Sequence, residues 1–173
     1  ENQIEEEVLK VWNIIETFYK TCGFDLQVRF SRRDMSTLEK YMGESDTWDK
    51  AENAIKKIID SKVDSFIDGP GEAAFYGPKI DFMAKDAIGR EWQVATIQID
   101  FIQPQNFGLE YTNEQGTKSS VVMIHAAIMG AIERFMSIMI EHLSGNFPVW
   151  LSPNQVSIVP VKNELHLEYA ETI

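Results

Sequence analysis

The chain reads as an α+β protein, a mostly antiparallel sheet flanked by helices, on three observations. Residues 4 to 22 and 47 to 61 repeat apolar side chains at helical spacing. Residues 79 to 84 and 91 to 102 are strand-like runs joined by Asp86-Ala87-Ile88-Gly89, the arrangement of a hairpin, so these strands run in opposite directions. At 173 residues the chain is about one domain in size and long enough to bury a sound core.

Each element follows from its own residues. In the first helix Ile4, Val8, Val11, Trp12, Ile15, Phe18 and Tyr19 form the apolar stripe, with Glu5, Glu6, Glu16 and Lys20 between them, and Gly23 ends it. Phe24, Leu26, Val28 and Phe30 alternate with Asp25, Gln27 and Arg29, the pattern of a half-buried strand, before Arg32, Arg33 and Asp34 open a polar loop. Asp46 suits the N-cap of the second helix, whose apolar residues are Trp48, Ala51, Ala54, Ile55, Ile58 and Ile59. Phe66 and Ile67 predict a short strand before the Gly69-Pro70-Gly71 turn. After the hairpin, Pro104 to Gly108 reads as loop and Asn113 to Gly116 as turn. Ser119 to Ile124 predicts a strand, and a long helix runs from there to about Leu143, where Gly145-Asn146-Phe147-Pro148 stops it. Ser152-Pro153-Asn154 reads as a linker and sets a domain boundary, followed by a strand from Gln155 to Val161 and a helix from Glu164.

Composition removes several classes of function. The content of 44% apolar and 25% charged residues is ordinary for a soluble globular protein. The most apolar stretch, 121 to 143, is broken by His125, Gly130, Glu133, Arg134 and Glu141, so it falls short of the roughly 18 uninterrupted residues of a membrane helix and no membrane partner is expected. Four glutamates and one lysine in the first ten residues are the opposite of a secretory signal. The single cysteine, Cys22, cannot close an internal disulfide, which suits a reducing, cytoplasmic setting. A net charge of -11 argues against holding nucleic acid on a broad basic surface, so any RNA is held locally or elsewhere. The chain opens on Glu1 and stops at Thr172-Ile173 a turn or two into a helix, so both ends read as cut.

Three segments carry residue types suited to a ligand site. Tyr76 and Lys79 flank Gly77-Pro78 at the mouth of a strand, with Ile80 and Phe82 turned to the other face. A lysine there offers compact positive charge to a phosphate or carboxylate, although the segment alone also reads as a hairpin with a surface lysine. In 92 to 101, alternation puts Thr96, Gln98 and Asp100 on one face and Gln93, Ile97, Ile99 and Phe101 on the other. Polar residues within an apolar strand need partners, which a ligand can supply, and Gln93 joins Thr96 only across a bulge. His125 stands between an apolar run and a helix, as a core or capping histidine or as a metal ligand. Arg134, nine residues on, would point the opposite way along a single helix, so the two share a site only if His125 belongs to the strand end. On spacing alone, Glu133 and Arg134 also read as a surface pair.

Taken in order, the run from Gly71 to Phe82, the strand Trp92 to Phe101, Met123-Ile124-His125 and Gly130-Ala131-Ile132-Glu133-Arg134-Phe135 resemble the threonyl-tRNA synthetase family over nearly the whole chain. The last matches the third signature of class II aminoacyl-tRNA synthetases. The resemblance implies the fold of a class II synthetase catalytic domain, with 1 to 153 its C-terminal part and 154 to 173 the truncated start of an anticodon-binding domain. It implies a ligase that activates threonine with ATP to threonyl-adenylate and transfers it to tRNA(Thr), as a homodimer in the full-length enzyme. Magnesium accompanies ATP, and a zinc ion holds the amino and hydroxyl groups of threonine. Tyr76 and Gln98 then lie at the amino-acid end, Lys79 at the activated carboxylate and α-phosphate, and Gln93 and Thr96 at the ATP ribose. His125 is one of three zinc ligands, and Arg134 stabilises ATP through its γ-phosphate and adenine.

The other two zinc ligands of the family, a cysteine and a histidine, fall upstream of this chain. Cys22 lacks the family's cysteine motif, and His142 and His166 have no motif around them. The isolated chain is therefore expected to be inactive. Ala126, Ala131 and Val94-Ala95 depart from the family's usual arginine, serine and Cys-Gly. These departures keep open a synthetase-like regulatory or interaction protein without activity. A synthetase for another amino acid is a third reading, which Met-Ile-His opposes.

Overall fold

A computed structural model describes residues 3 to 173. The elements are, in order, α1 (Ile4–Thr21), β1 (Leu26–Arg32), α2 (Ser45–Lys62), β2 (Ile67–Pro70), β3 (Lys79–Lys85), β4 (Glu91–Asp100), α3 (Gln103–Asn106), β5 (Glu110–Thr112), β6 (Lys118–Ser120), β7 (Met123–Ala127), α4 (Ile132–His142) and α5 (Asn163–Ala170). Five strands form one sheet in the order β2-β1-β3-β4-β7, and β5 and β6 form a separate hairpin. Every pair in the large sheet is antiparallel except β1 with β2. The fold is thus the α+β arrangement that the periodicities predict, with one parallel pair at the edge.

The apolar side of the sheet decides where everything else points. α1 buries Val8, Trp12, Ile15 and Tyr19, and α2 buries Trp48, Ala51, Ile55, Ile58 and Ile59. Val8, Trp12, Ile15 and Tyr19 of α1 and Ile55, Ile58 and Ile59 of α2 join Val28, Phe30, Ile80, Phe82, Ile97 and Ile99 in one core, where Trp12 meets Phe82 edge-on at 4.9 Å. Burying an isoleucine or phenylalanine fully is worth about 1.5–3 kcal/mol relative to exposure, so this face is strongly specified. Side chains alternate along a strand, and the intervening residues are therefore forced to the far face. Those residues are Arg29, Ser31, Lys79, Asp81, Thr96, Gln98 and His125.

Two irregularities place the remaining site residues. Between β3 and β4 the register moves from Phe82 opposite Ala95 to Met83 opposite Gln93, leaving Val94 as an extra residue. This is the bulge that Gln93 needs to follow Thr96 onto the polar face. The chain also stays extended through Ala127, because Met123 to Ala127 pair with Asp100 to Thr96. His125 is consequently a strand residue, and α4 starts only after Gly130, whose φ of 61° favours glycine.

Several local expectations are corrected. The strand expected over Ser119 to Ile124 is divided between β6 and β7. Asp46 is not the cap of α2: Glu44 holds that position without a side-chain cap bond, and Asp46 lies in the first turn, where its charge suits the helix dipole. Arg33 does not extend a polar loop but is 4% exposed, its guanidinium held by Asp49, Glu52 and Ser45. The loop after β4 contains the short α3. Gln155 to Val161 forms no strand; Val156, Ile158, Val159 and Val161 are exposed, and no neighbouring strand among the described residues takes up its backbone groups.

Candidate functional site

The polar face is ordered in rows by the strand register. Ser31, Lys79, Gln98 and His125 are successive partners across β1, β3, β4 and β7, and Arg29, Asp81, Thr96 and Ala127 form the adjacent row. Neighbouring strands lie about 4.8 Å apart, so Lys79 and His125 stand about 10 Å apart with Gln98 between them.

Tyr76 reaches this row from the turn before β3. A Cβ on Gly77 would collide with the Ile99 carbonyl, so only glycine lets the chain pass this close to β4. The Tyr76 hydroxyl donates to Gln98 Oε1 at 2.7 Å, and its ring lies 5.4 Å from the His125 ring. Burial, and after it the Asp100 carboxylate, push the Tyr76 hydroxyl above its ordinary pKa, so it remains a donor at neutral pH. With Oε1 engaged, Gln98 presents its amide nitrogen to a ligand.

His125 is oriented by Asp100, whose side chain is fully buried. One Asp100 oxygen accepts the Ile102 and Gln103 backbone N–H groups, each at 2.9 Å, and the other accepts His125 Nε2 at 2.9 Å. That leaves Nδ1 as the open ring nitrogen. A carboxylate behind a histidine is the usual support of a metal ligand. Among the described residues, however, no three His, Cys, Asp or Glu side chains gather to hold a metal, and Cys22 is buried in the core cluster. The described residues do not by themselves fit a zinc ion; they offer one oriented histidine.

The rest of the polar face is tied together by Arg29. Its Nη2 donates to Asp81 Oδ2 at 2.9 Å and to Gln93 Oε1 at 3.1 Å, and it lies 3.4 Å from Glu72. The bulge that brings Gln93 here is anchored from the core side, where the buried Tyr19 hydroxyl donates to the Val94 carbonyl at 2.9 Å. Arg134 is exposed, and its Nη1 donates to the Gln93 carbonyl at 3.3 Å. Tyr76, Lys79, Gln98 and His125 therefore form one group with Thr96 in the next row, while Gln93 and Arg134 meet farther along β4. Lys79 and His125 share one row of the polar face, while Arg134 makes its hydrogen bond to the Gln93 carbonyl.

Arg29, Ser31 and Asp81 are part of this surface without having been singled out in the sequence. Alternation alone puts them on a non-core face, Asp81 two residues from Lys79 and Arg29 between Val28 and Phe30, and only the strand pairing shows what shares that face.

Residues 1–143 match the family model for the tRNA synthetase class II core domain (G, H, P, S and T). The threonine-tRNA ligase of Natranaerobius thermophilus is 46% identical over 172 residues, covering 99% of this chain and 26% of its own length. That of Rubrobacter xylanophilus is 47% identical over 174 residues, covering 100% and 27%. The crystal structure of the RNA binding domain of threonyl-tRNA synthetase from Cryptosporidium parvum superposes with a TM-score of 0.89 at 37% identity, covering 99% of this chain and 42% of that one. The chain spans about a quarter of the length of the curated relatives it matches.

Proposed function

The chain belongs to the class II tRNA synthetase core family, and from that membership we propose that it is part of a threonine-tRNA ligase, acting within a longer protein. The observation that carries this reading is the row Lys79, Gln98, His125, with Tyr76 laid over it, on the sheet face turned away from the core. Similarity to threonine-tRNA ligases at 46–47% identity supports the choice of amino acid.

In this reading a threonine carboxylate oxygen attacks the α-phosphorus of ATP, forming an O–P bond as pyrophosphate leaves with the electron pair of the breaking bond. A terminal hydroxyl of tRNA(Thr) then attacks the threonyl carbonyl, and AMP departs. No covalent enzyme nucleophile is needed, so catalysis rests on position and charge. Lys79 offsets the α-phosphate charge, Tyr76 and Gln98 hold the amino-acid end, Thr96 and Gln93 meet the ribose, and Arg134 meets ATP near Gln93. Magnesium, when bound with ATP, would offset phosphate charge beside Lys79 and Arg134. We assign His125 as one zinc ligand, through the nitrogen that Asp100 leaves open, in a site completed by residues outside this chain.

Residues 1 to 153 are assigned to the C-terminal part of the catalytic domain and 154 to 173 to the start of an anticodon-binding domain. Supporting this, the family match stops at 143, and none of 154 to 173 is buried. A homodimer in the cytoplasm completes the reading. Among the described residues no helix is long and apolar enough to cross a membrane.

The test is threonine-dependent ATP-pyrophosphate exchange by the full-length protein. Lys79→Ala is expected to slow it by about 100-fold or more, the scale of losing a preorganised charge-stabilising donor. The 173-residue chain alone is expected to show none. Full exchange by the variant, or turnover by the isolated chain, contradicts the assignment. A protein that keeps the fold without activity is the second reading. It is favoured by Ala131, which occupies the α4 N-cap without a side-chain bond, and a full-length wild type inert in this assay would establish it.

A further inference from the structure

We propose that Asp81 is a positioning residue of this site, a buried carboxylate that fixes where the Lys79 ammonium points. The proposal deepens the ligase reading and rests on it for the reaction, while the geometry stands apart from it. Asp81 lies fully buried in mid-sheet on the polar side of β3, two residues from Lys79 and on the same face. Its Oδ2 accepts from the Ser31 hydroxyl at 2.6 Å and from Arg29 Nη2 at 2.9 Å, and it lies 3.4 Å from Lys79 Nζ.

Ser31 and Arg29 sit on the neighbouring strand, so the carboxylate is clamped in one orientation before Lys79 is considered. Among the described residues, Asp81 is the one carboxylate within ion-pair reach of Lys79. The contact is longer than the 2.7–2.9 Å typical of a charge-assisted hydrogen bond, and an ammonium has three donors, so Lys79 is tethered while retaining capacity for an anion. Without the tether, the head of a lysine wanders on a flexible four-carbon stem.

Stability alone accounts poorly for this cluster. Replacing a buried ion network by well-packed apolar residues is often neutral or stabilising. Asp81 Oδ1 and Thr96 Oγ1, from residues directly opposite each other, are also buried without a hydrogen-bond partner among the described residues.

The experiment is a double-mutant cycle in the full-length protein. Asp81→Asn keeps the side-chain shape and removes the charge. It is expected to lower kcat for threonine-dependent pyrophosphate exchange about 10- to 100-fold, the scale of a misplacement of about 1 Å. In a Lys79→Ala background the same substitution is expected to change kcat by less than about twofold, since no ammonium remains to be placed. Similar losses in both backgrounds would overturn the proposal. Should Asp81→Asn fail to fold, Ser31→Ala loosens the same carboxylate, and its loss must likewise vanish in the Lys79→Ala background. A readout independent of the reaction is acetylation of Lys79 by an N-hydroxysuccinimide ester, followed by mass spectrometry with Lys85 of the same strand as reference. Asp81→Asn, or Ser31→Ala in its place, is expected to raise Lys79 labelling several-fold; unchanged labelling overturns the proposal. If the wild type performs no exchange, the ligase reading fails, and the labelling result still decides whether Asp81 holds Lys79.

Discussion

Gly77 has no room for a side chain, because the Ile99 carbonyl occupies the place of its Cβ. Gly77→Ala is expected to push the Tyr76 turn off β4 and destabilise the fold by about 1–3 kcal/mol, the range for overpacking, as read from urea unfolding; an unchanged midpoint would show that the turn relaxes freely. Tyr19 has a comparable role from the core side, since its hydroxyl satisfies the Val94 carbonyl that the bulge leaves over. Tyr19→Phe orphans that carbonyl and is expected to cost about 1–3 kcal/mol by the same measurement, whereas no loss would mean the bulge needs no anchor. At this scale Tyr76, Lys79, Gln98 and His125 are legible in the sequence because each stands in a recognisable phrase. Arg29 and Asp81 are not, since a polar residue between two core residues of a strand reads as solvent-facing until the pairing reveals what shares its face. Gln93 is halfway: its alternation is wrong for the site, and only a bulge, which that mismatch itself demands, corrects it.

Among the elements, the β3–β4 hairpin shows how a turn is tied. The Asp86 carboxylate accepts the Ile88 and Arg90 backbone N–H groups, the Arg90 guanidinium and the Trp92 indole N–H. Burial works to raise its pKa, but these bonds, from Trp92 and Arg90 first, outweigh burial and hold the carboxyl well below the usual range. A depressed folded value adds stability above the unfolded value of about 4 and loses it as pH falls through the folded one. Asp86→Asn is therefore expected to be less stable than wild type at pH 7, with the gap closing below about pH 4; a gap independent of pH contradicts the assignment. The hairpin and both long helices are legible because their patterns are local. The start of α4 is not, because Met-Ile-His-Ala-Ala-Ile-Met is a short apolar run that periodicity cannot sort between strand and helix. Pairing with β4, distant in sequence, makes its first part a strand. The converse holds for Gln155 to Val161, whose alternation is locally strand-like but has no described neighbour to pair with.

For the molecule as a whole, α1, α2 and α4 pack into one core against one side of a five-stranded sheet and leave the other side a polar face. None of residues 154 to 173 is fully buried, and limited proteolysis of the chain is expected to cut first between 152 and 162, leaving the sheet intact; first cuts within β3 or β4 would contradict this division. The fold class was legible at this scale because helix and strand periods differ and one hairpin fixes strand direction. The polar face was not, because it exists only where side chains from four strands line up. Its use is tested most directly by a crystal structure of the full-length protein bound to a sulfamoyl analogue of threonyl-adenylate. The analogue is expected across β3, β4 and β7, with its sulfamoyl group beside Lys79 and its amino-acid end between Tyr76 and Gln98. An analogue seated away from those strands, touching neither Lys79 nor Gln98, would contradict the assignment of this face as the active site.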